Sequence, residues 1–155
     1  YRAMQCQIVA VGRARSGPMR DLFDDYAKRL KPPLELREVE ERRPLKGREL
    51  KSREGALLLD ALPKDGLVLA LDGGGKSLSS EDLAKRLGNW RDEGIRTAAF
   101  VIGGADGLDK TVLDRADFTL SLGAQTWPHM LVRVMLAEQL YRADSILAGH
   151  PYHRA

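Results

Sequence analysis

The stretch that decides the fold reads Thr97-Ala98-Ala99-Phe100-Val101-Ile102-Gly103-Gly104-Ala105-Asp106-Gly107. Residues 98–102 are five consecutive apolar side chains, and a loop of glycines and small residues follows at once. An apolar run that does not alternate with polar residues is typical of a central strand in a parallel sheet, because both of its faces are covered. The glycines after it indicate a loop whose backbone can approach a ligand closely.

Two further segments show the same order of strand and glycine-containing loop. Residues 66–72 are compact and apolar and lead into Asp72-Gly73-Gly74-Gly75-Lys76, while residues 117–121 lead into Ser121-Leu122-Gly123-Ala124-Gln125-Thr126. In open α/β sheets, ligands bind beyond the carboxyl ends of the strands. One such loop is ordinarily a turn, but three at neighbouring strand ends predict a cradle for a cofactor.

Strands and helices alternate along the whole chain. Apolar residues at helical spacing and the capping box at Ser79-Ser80-Glu81-Asp82 indicate helices between the strands. The patterns predict strands over residues 5–11, 34–40, 66–72, 97–102 and 117–121, and helices over residues 19–30, 50–62, 79–90, 110–116 and 128–147. They therefore predict one three-layer α/β/α domain over residues 1–155 with a mostly parallel sheet, in which residues 34–40 form a half-exposed edge strand.

Composition excludes several classes of protein. The chain has 155 residues, of which 43% are hydrophobic, so it can bury a core and is not a disordered chain. The single cysteine, Cys6, can form neither an internal disulfide nor a zinc cluster. The longest apolar runs have five residues, whereas a membrane-spanning helix needs about 20. We expect a cytoplasmic protein with no metal and no membrane partner, and we expect Met4 to be the natural start with residues 1–3 a remnant before it.

The basic residues permit contact with nucleic acid without demonstrating it. Lys and Arg number 25 against 22 acidic residues, and 17 of the 25 are arginine, which suits bidentate phosphate recognition. Residues 37–53 hold seven bases and four glutamates. Such a run is usually a solvated surface, and on an RNA-binding protein it would contact phosphates. The segment Gly12-Arg13-Ala14-Arg15-Ser16 has the same two interpretations.

The last predicted helix is apolar around most of its circumference. Met130, Val134, Ala137 and Tyr141 form one stripe, and two further pairs, Leu131 with Met135 and Leu136 with Leu140, widen it. A terminal helix that covers one face of a sheet needs only one stripe. Two explanations remain open at this point: the helix is wedged deeply within its own domain, or it forms a homodimer interface.

Two common nucleotide-binding motifs fail. Gly75-Lys76-Ser77 could end a P-loop, but the first glycine that this motif requires falls on Ala70. The dinucleotide fingerprint Gly-x-Gly-x-x-Gly also fails, because Leu78 and Ala105 stand at required glycine positions.

Candidate chemistry gathers near the carboxyl terminus. All three histidines, His129, His150 and His153, lie in the last 27 residues. The ending His150-Pro151-Tyr152-His153-Arg154 combines groups that can accept a proton, stack on a base and pair with a phosphate. Glu138 and Arg142 have the spacing of an ordinary helix ion pair. The tail is therefore either a functional element or an accidental cluster of polar residues.

Several of these segments together resemble the small RlmH-type methyltransferases of the SPOUT superfamily. The resemblance covers essentially the whole chain from Met4, and its signature is long and depends on the order of the motifs. Mild departures are the three glycines after Asp72, and Gly123 and Gln125. The matching segments are Ile102-Gly103-Gly104-Ala105-Asp106-Gly107, Ser121-Leu122-Gly123, Thr126-Trp127-Pro128-His129, Arg133, Ala137-Glu138-Gln139-Leu140-Tyr141-Arg142-Ala143 and Tyr152-His153-Arg154.

The resemblance implies a deep C-terminal trefoil knot, a feature that general topology rules treat as exceptional. It implies a homodimer that transfers a methyl group from S-adenosylmethionine to N3 of pseudouridine 1915 in helix 69 of 23S rRNA, on the ribosome. It also implies that one subunit's tail reaches the other subunit's cofactor. The implied cofactor-binding residues are Leu71, Gly103, Gly104, Leu122, Gly123, Ala124, Gln125, Thr126, Trp127 and Pro128.

The substrate chemistry suggests roles for four residues. N3 of pseudouridine carries an imide proton, which must leave before the nitrogen can attack a methyl group. We expect His153 to be the base or proton relay, with Arg154 and Arg142 stabilising negative charge and Tyr152 orienting the base. Alternatively, arginine alone makes N3 more acidic and water takes the proton. His129 and Arg133 are expected to be structural.

Two rival functions remain from the sequence alone. One is a small nucleotide hydrolase of P-loop type, which Ala70 already weakens. The other is an RNA-binding or ribosome-binding module that kept the fold and lost its chemistry.

Overall fold

The protein forms a single five-stranded parallel sheet with helices on both faces. The computed structural model describes residues 3–154, so Tyr1 and Arg2 of the expected N-terminal remnant lie outside the described residues. The elements in chain order are β1 (Gln5–Val11), α1 (Pro18–Arg29), β2 (Glu35–Val39), α2 (Gly47–Ala61), β3 (Leu67–Ser77), α3 (Ser80–Asp92), β4 (Thr97–Ile102), α4 (Lys110–Arg115), β5 (Phe118–Ser121) and α5 (His129–Leu147). The three-layer α/β/α prediction is confirmed.

The sheet order is β2-β1-β4-β3-β5, and all four neighbouring pairs are parallel. The two strands with the longest apolar runs, β4 and β3, are therefore internal, and β1 lies beside β4. Along β1 the side chains alternate between two cores, since Ile8 packs on one face and Val9 on the other, and neither is exposed. Burial of both faces explains why these strands read as unbroken apolar runs.

Each face of the sheet has its own helices. Helix α5 packs against α1 and α3 on one face, while α2 and α4 cover the other. Strand β2 lies at the edge with partly exposed residues, as its alternating pattern predicts. The N-cap of α3 is also as predicted, because the side chain of Ser79 accepts a hydrogen bond from the backbone N–H of Asp82 at 3.0 Å.

The position of α5 accounts for most of its apolar circumference. Leu136, Ala137, Leu140 and Ala143 are each at most 1% exposed, buried between the sheet and the flanking helices α1 and α3. The helix is thus wedged within its own domain, which was the first of the two explanations. Pro128 is the N-cap of α5 and not its first helical residue, so the helix begins one position later than the sequence predicts.

The prediction that β3 ends at Asp72 is wrong. The strand continues to Ser77, and Leu71 and Lys76 both pair with Leu120, so four residues bulge out between them. Glycine makes this detour possible: a Cβ on Gly75 would lie 2.6 Å from the carbonyl oxygen of Thr119 on β5. Three glycines resemble a loop in sequence, but here they let the strand leave the sheet and return.

Membrane insertion through a helix finds no support in residues 3–154, where no helix combines sufficient length with sufficient apolar character to cross a bilayer.

Candidate cofactor cradle and C-terminal cluster

A cavity of about 310 Å³ opens where β3, β4 and β5 end. All three glycine-containing segments that the sequence singles out contribute to its wall, so their predicted convergence is confirmed. The lining residues are Leu71, Asp72, Gly73, Ile102, Gly103, Gly104, Ala105, Gly107, Leu120, Leu122, Gly123, Ala124, Gln125, Thr126, Trp127, His129 and Val132. We call this cavity the cradle.

The loop after β4 is closed by a tight turn that requires glycine. The backbone N–H of Gly107 donates to the carbonyl of Gly104 at 3.0 Å, and Gly107 has a φ of 83°. A Cβ on Gly103 would lie 2.7 Å from the carbonyl carbon and oxygen of Gly107. The turn therefore depends on the absence of a side chain at Gly103 and on the left-handed backbone of Gly107.

The loop after β5 is held by two side chains. The Ser121 hydroxyl donates to the carbonyl of Gly123 and accepts from its N–H, both at 3.1 Å, and Gly123 has a φ of 109°. The Trp127 indole N–H donates to the carbonyl of Leu122 at 3.3 Å, which draws the far end of the loop back toward its start. These contacts give the segment from Leu122 to Trp127 a defined shape against the cradle.

The charge of the cradle distinguishes between ligand classes. Its lining includes one acidic residue, Asp72, and one histidine, His129, and no lysine or arginine. A polyphosphate needs cationic side chains or a P-loop nest, and the described lining offers neither. Apolar side chains, backbone groups and an acid instead fit a nucleoside cofactor that carries positive charge. In the described part of the chain, no group of three His, Cys, Asp or Glu side chains is placed to hold a metal ion.

A second group of functional candidates lies on α5 and the tail, and we call it the C-terminal cluster. Arg142 forms a bidentate ion pair with Glu138 one turn earlier. Tyr152 donates its hydroxyl to the same carboxylate at 2.8 Å, and its ring meets Tyr141 edge-on at 4.7 Å. Burial, followed by hydrogen bonds with Tyr26 and Glu138, raises the pKa of Tyr152, so its phenol stays protonated.

His153 completes the C-terminal cluster through two contacts. Its Nδ1 lies 3.1 Å from Nη1 of Arg142, and its Nε2 lies 2.6 Å from Oε1 of Glu81 on α3. A guanidinium can only donate, so Nδ1 accepts and the hydrogen sits on Nε2, where it is donated to the carboxylate. Both ring nitrogens of His153 are therefore engaged, Nδ1 as an acceptor and Nε2 as a donor.

Arg133 has a different role from the cluster. Its side chain is 3% exposed; Nη1 bonds Glu38 at 2.6 Å, and Nη2 donates to the carbonyls of Val11 and Gly12 at 3.2 and 3.1 Å. It thereby ties α5 to the carboxyl ends of β1 and β2. This placement supports the structural role expected of Arg133, whereas His129 lines the cradle.

The basic run over residues 37–53 is partly neutralised. Glu41 accepts from both Arg43 and Arg53 at 2.9 Å, and these bonds lower the pKa of Glu41 to about 2. Lys46 and Arg48 are exposed. The run is therefore a solvated surface that still presents basic side chains.

Comparison with known proteins identifies the family of this chain. A family model described as "Predicted SPOUT methyltransferase" matches residues 4–153. Proteins named ribosomal RNA large subunit methyltransferase H from Paramagnetospirillum magneticum and Rhodospirillum centenum are 58% and 59% identical to the chain. They align over 97% and 98% of this chain and over 99% and 100% of their own lengths. The chain belongs to the SPOUT methyltransferase family.

Two solved structures agree with this chain in fold. A probable methylase family protein from Haemophilus influenzae has a TM-score of 0.59 and covers 98% of this chain and 71% of its own. The SpoU methyltransferase AviRb from Streptomyces viridochromogenes, solved with its cofactor AdoMet, has a TM-score of 0.53 and covers 93% of this chain and 59% of its own. Both are 11% identical in sequence, so they support the fold alone. S-adenosylmethionine is the cofactor of this SPOUT methyltransferase.

Nine of the ten residues expected to bind this cofactor line the cradle, and Pro128 is the exception. The four expected catalytic residues are elsewhere. Arg142, Tyr152 and His153 belong to the C-terminal cluster, Arg154 is exposed at the end of the described chain, and none of the four lines the cradle.

The sequence did not reveal the roles of three carboxylates, two in the C-terminal cluster and one behind the wall of the cradle. Glu81 appears in sequence as part of a helix cap, and Glu138 as a partner of Arg142 only. Glu54 lies behind Gly104 and was not singled out at all. The arrangement in sequence carried no signal for Glu54, because it stands in a helix rich in charged residues.

Proposed function

We propose that this SPOUT methyltransferase transfers a methyl group from S-adenosylmethionine to N3 of pseudouridine 1915 in helix 69 of 23S rRNA. The observation that carries the proposal is identity of 58–59%, along nearly the full length of both chains, to proteins named ribosomal RNA large subunit methyltransferase H. The modified position is the one that the resemblance to RlmH-type enzymes implies. Such a substrate places the protein in the cytoplasm with the ribosome.

The cradle is the proposed cofactor site. When bound, S-adenosylmethionine supplies an activated methyl group on a positively charged sulfonium. The residues proposed to hold it are Leu71, Gly103, Gly104 and the segment from Leu122 to Pro128. The fit rests on the glycines, which bring backbone close to the cavity, and on the acidic Asp72 in a wall without cationic side chains.

The C-terminal cluster is the proposed source of acid–base groups. N3 can attack only after its imide proton has left. Nε2 carries the hydrogen that is donated to Glu81, so the proton acceptor on His153 is Nδ1. His153 can therefore act as a base once Nδ1 is released from Arg142. Arg142 and Arg154 are then proposed to stabilise the imidate, and the Tyr152 phenol to orient the base.

An alternative proton path uses the arginines without His153. In that case Arg142 and Arg154 stabilise the imidate enough for water to accept the N3 proton. The engaged state of both His153 nitrogens keeps this path open. The two paths differ in the effect that removing His153 has on the rate of methylation.

We further propose that the enzyme works as a homodimer in which the cluster of one subunit serves the cradle of the other. Within one chain the cluster does not line the cradle. A second cavity, of about 570 Å³, lies beside the cradle and is lined in part by Glu138 of the cluster and by Leu122 and Gly123 of the cradle. Met19 and Leu22 on α1 are both 46% exposed, which leaves apolar surface for a second copy.

The decisive experiment is methyl transfer from labelled S-adenosylmethionine into ribosomal particles that lack the modification, followed by mapping of the labelled nucleotide. We expect one labelled site, at N3 of pseudouridine 1915. The matched control is Ala124→Trp, which fills the cradle from an exposed position and should abolish transfer without unfolding the protein. Label at another nucleotide, or none in any particle, would overturn the proposal.

A further inference from the structure

Glu54 is a buried carboxylate directly behind the cradle. It lies on α2 and is 9% exposed, and it is not one of the residues that line the cavity. Gly104, which does line it, separates the two: a Cβ on Gly104 would lie 3.1 Å from Oε1 and 3.2 Å from Oε2 of Glu54. The carboxylate therefore rests against the bare α-carbon of a residue in the cradle wall.

This carboxylate has no partner to compensate its burial. Among residues 3–154 it forms no ion pair of 4 Å or less, and its buried Oε1 has no hydrogen-bond donor. Desolvation, and then the neighbouring charge of Asp106, raise the pKa of Glu54. The ionised form of this carboxyl is costly without a counter-charge, and a cation bound in the cradle would lower that cost.

We propose that Glu54 is a positioning residue that provides a through-space counter-charge for the sulfonium of S-adenosylmethionine and so favours the cofactor over its demethylated product. This inference rests on the proposed cofactor site. S-adenosylhomocysteine has the same nucleoside and amino-acid parts but no charge on sulfur, so the two ligands differ in the group that Glu54 recognises.

The geometry favours the sulfonium over the cofactor's ammonium group. An ammonium is recognised through its N–H donors, which require acceptors in direct contact with the ligand. Glu54 stands one glycine behind the wall, too far back to serve as a lining acceptor. A sulfonium carries no N–H or O–H hydrogen, so its recognition does not require an acceptor of that kind in the wall, and a desolvated carboxylate behind the wall can still stabilise its charge.

The role predicts a division between binding and chemistry. Positive charge on sulfur disappears as the methyl group leaves, so Glu54 stabilises the bound cofactor more than the transition state. Its removal should raise KM for S-adenosylmethionine and leave kcat unchanged or slightly higher. The product should bind about as well as before. A residue that only supported the loop would change the affinity for both ligands alike.

The experiment compares calorimetric Kd values for S-adenosylmethionine and S-adenosylhomocysteine in the wild type, Glu54→Gln, Glu54→Asp and Glu49→Gln. Glu49→Gln removes an exposed charge from the same helix and serves as the matched control. For Glu54→Gln we expect roughly tenfold weaker binding of S-adenosylmethionine and less than about threefold change for S-adenosylhomocysteine. Glu54→Asp should restore part of the preference, and Glu49→Gln should leave both affinities unchanged.

Equal weakening of both ligands by Glu54→Gln, or no change in either, would overturn the inference. Folding is checked separately by denaturant unfolding. Glu54→Gln should be no less stable than the wild type, since the substitution removes an unpaired buried carboxyl. Failure of the wild type to bind S-adenosylmethionine would instead contradict the proposed function, so the two failures are distinguishable.

Discussion

Nη1 of Arg142 lies 3.1 Å from Nδ1 of His153, and the guanidinium can only donate to it. This contact makes Nδ1 an acceptor and directs the Nε2 hydrogen at Glu81. A hydrogen bond from the backbone N–H of Glu81, and then the one from His153, lower the pKa of the Glu81 carboxyl. A chain of polar contacts thus runs from α3 through the tail to α5, and its members come from three separate regions of the sequence.

Replacing His153 with alanine tests which group takes the N3 proton. If His153 is the base, single-turnover methylation of ribosomal particles should slow by about 10²-fold, with the Kd for S-adenosylmethionine unchanged. His150→Ala is the control, because His150 is exposed in the same tail, and the hydrogen bond that its ring accepts comes from the backbone N–H of Tyr152 and not from Arg142. A rate near that of the wild type would remove His153 from the role and favour proton loss to water beside the arginines.

Replacing Arg133 with methionine should destabilise the fold by about 3–5 kcal/mol, because it removes the counter-charge of Glu38 and one donor from each of two backbone carbonyls. Denaturant unfolding measures the loss. Adding Glu38→Gln to this variant should recover part of it, since the uncompensated charge is then gone. Equal stability of the wild type and Arg133→Met would contradict the bridging role.

The same pair predicts a pH dependence of stability. Burial raises the pKa of Glu38, but the hydrogen bonds from Arg133 and Ala14 together outweigh it, and the pKa is lowered from 4.5. A depressed carboxyl pKa stabilises the folded state above the unfolded value and loses this effect as the pH falls through the folded value. The stability difference between wild type and Glu38→Gln should therefore be constant near neutral pH and shrink below about pH 4.5, as measured by unfolding at several pH values.

The sequence predicted the central strands and their loops because each carries its own local signal. In β4, five consecutive apolar residues indicate a strand that is buried on both faces, and the glycines after it indicate a loop that lines the cradle. The end of β3 was wrong for the same reason: Gly73, Gly74 and Gly75 have the composition of a loop, and only their pairing with β5 shows that the strand resumes. Local composition shows where the backbone can adopt unusual conformations, but it does not show whether those residues form a loop or a bulge within a strand.

The remaining parts of the site depend on contacts between distant residues. Glu81 and His153 are 72 positions apart, and the bond between them requires α3 and the tail to meet. Glu54 lies close to the cradle only because Gly104, fifty residues away in the sequence, has no side chain. No spacing or periodicity encodes such relations, so these contacts emerge from the tertiary structure alone.

Replacing Gly103 with alanine tests the shape of the cradle. Its Cβ would lie 2.7 Å from the backbone of Gly107, so the loop must shift, which should cost about 1–3 kcal/mol of stability and weaken S-adenosylmethionine binding more than tenfold. For stability the control is Gly73→Ala, since Gly73 lines the same cavity but nothing lies within 4 Å of its added Cβ. Unfolding and calorimetry report the two effects; equal stability of both variants would contradict the requirement for glycine.

Subunit complementation tests whether the C-terminal cluster acts on the partner's cradle. His153→Ala has an intact cradle and a defective tail, while Ala124→Trp has the reverse. In random heterodimers of the two, one of the two composite sites pairs the good tail with the good cradle if the tail acts across the interface, and neither site is whole if it acts within its own chain. Co-expressed chains should then recover roughly a quarter of wild-type methylation, since half of the dimers are mixed. Recovery no greater than the sum of the separate variants would show that each cluster serves its own subunit.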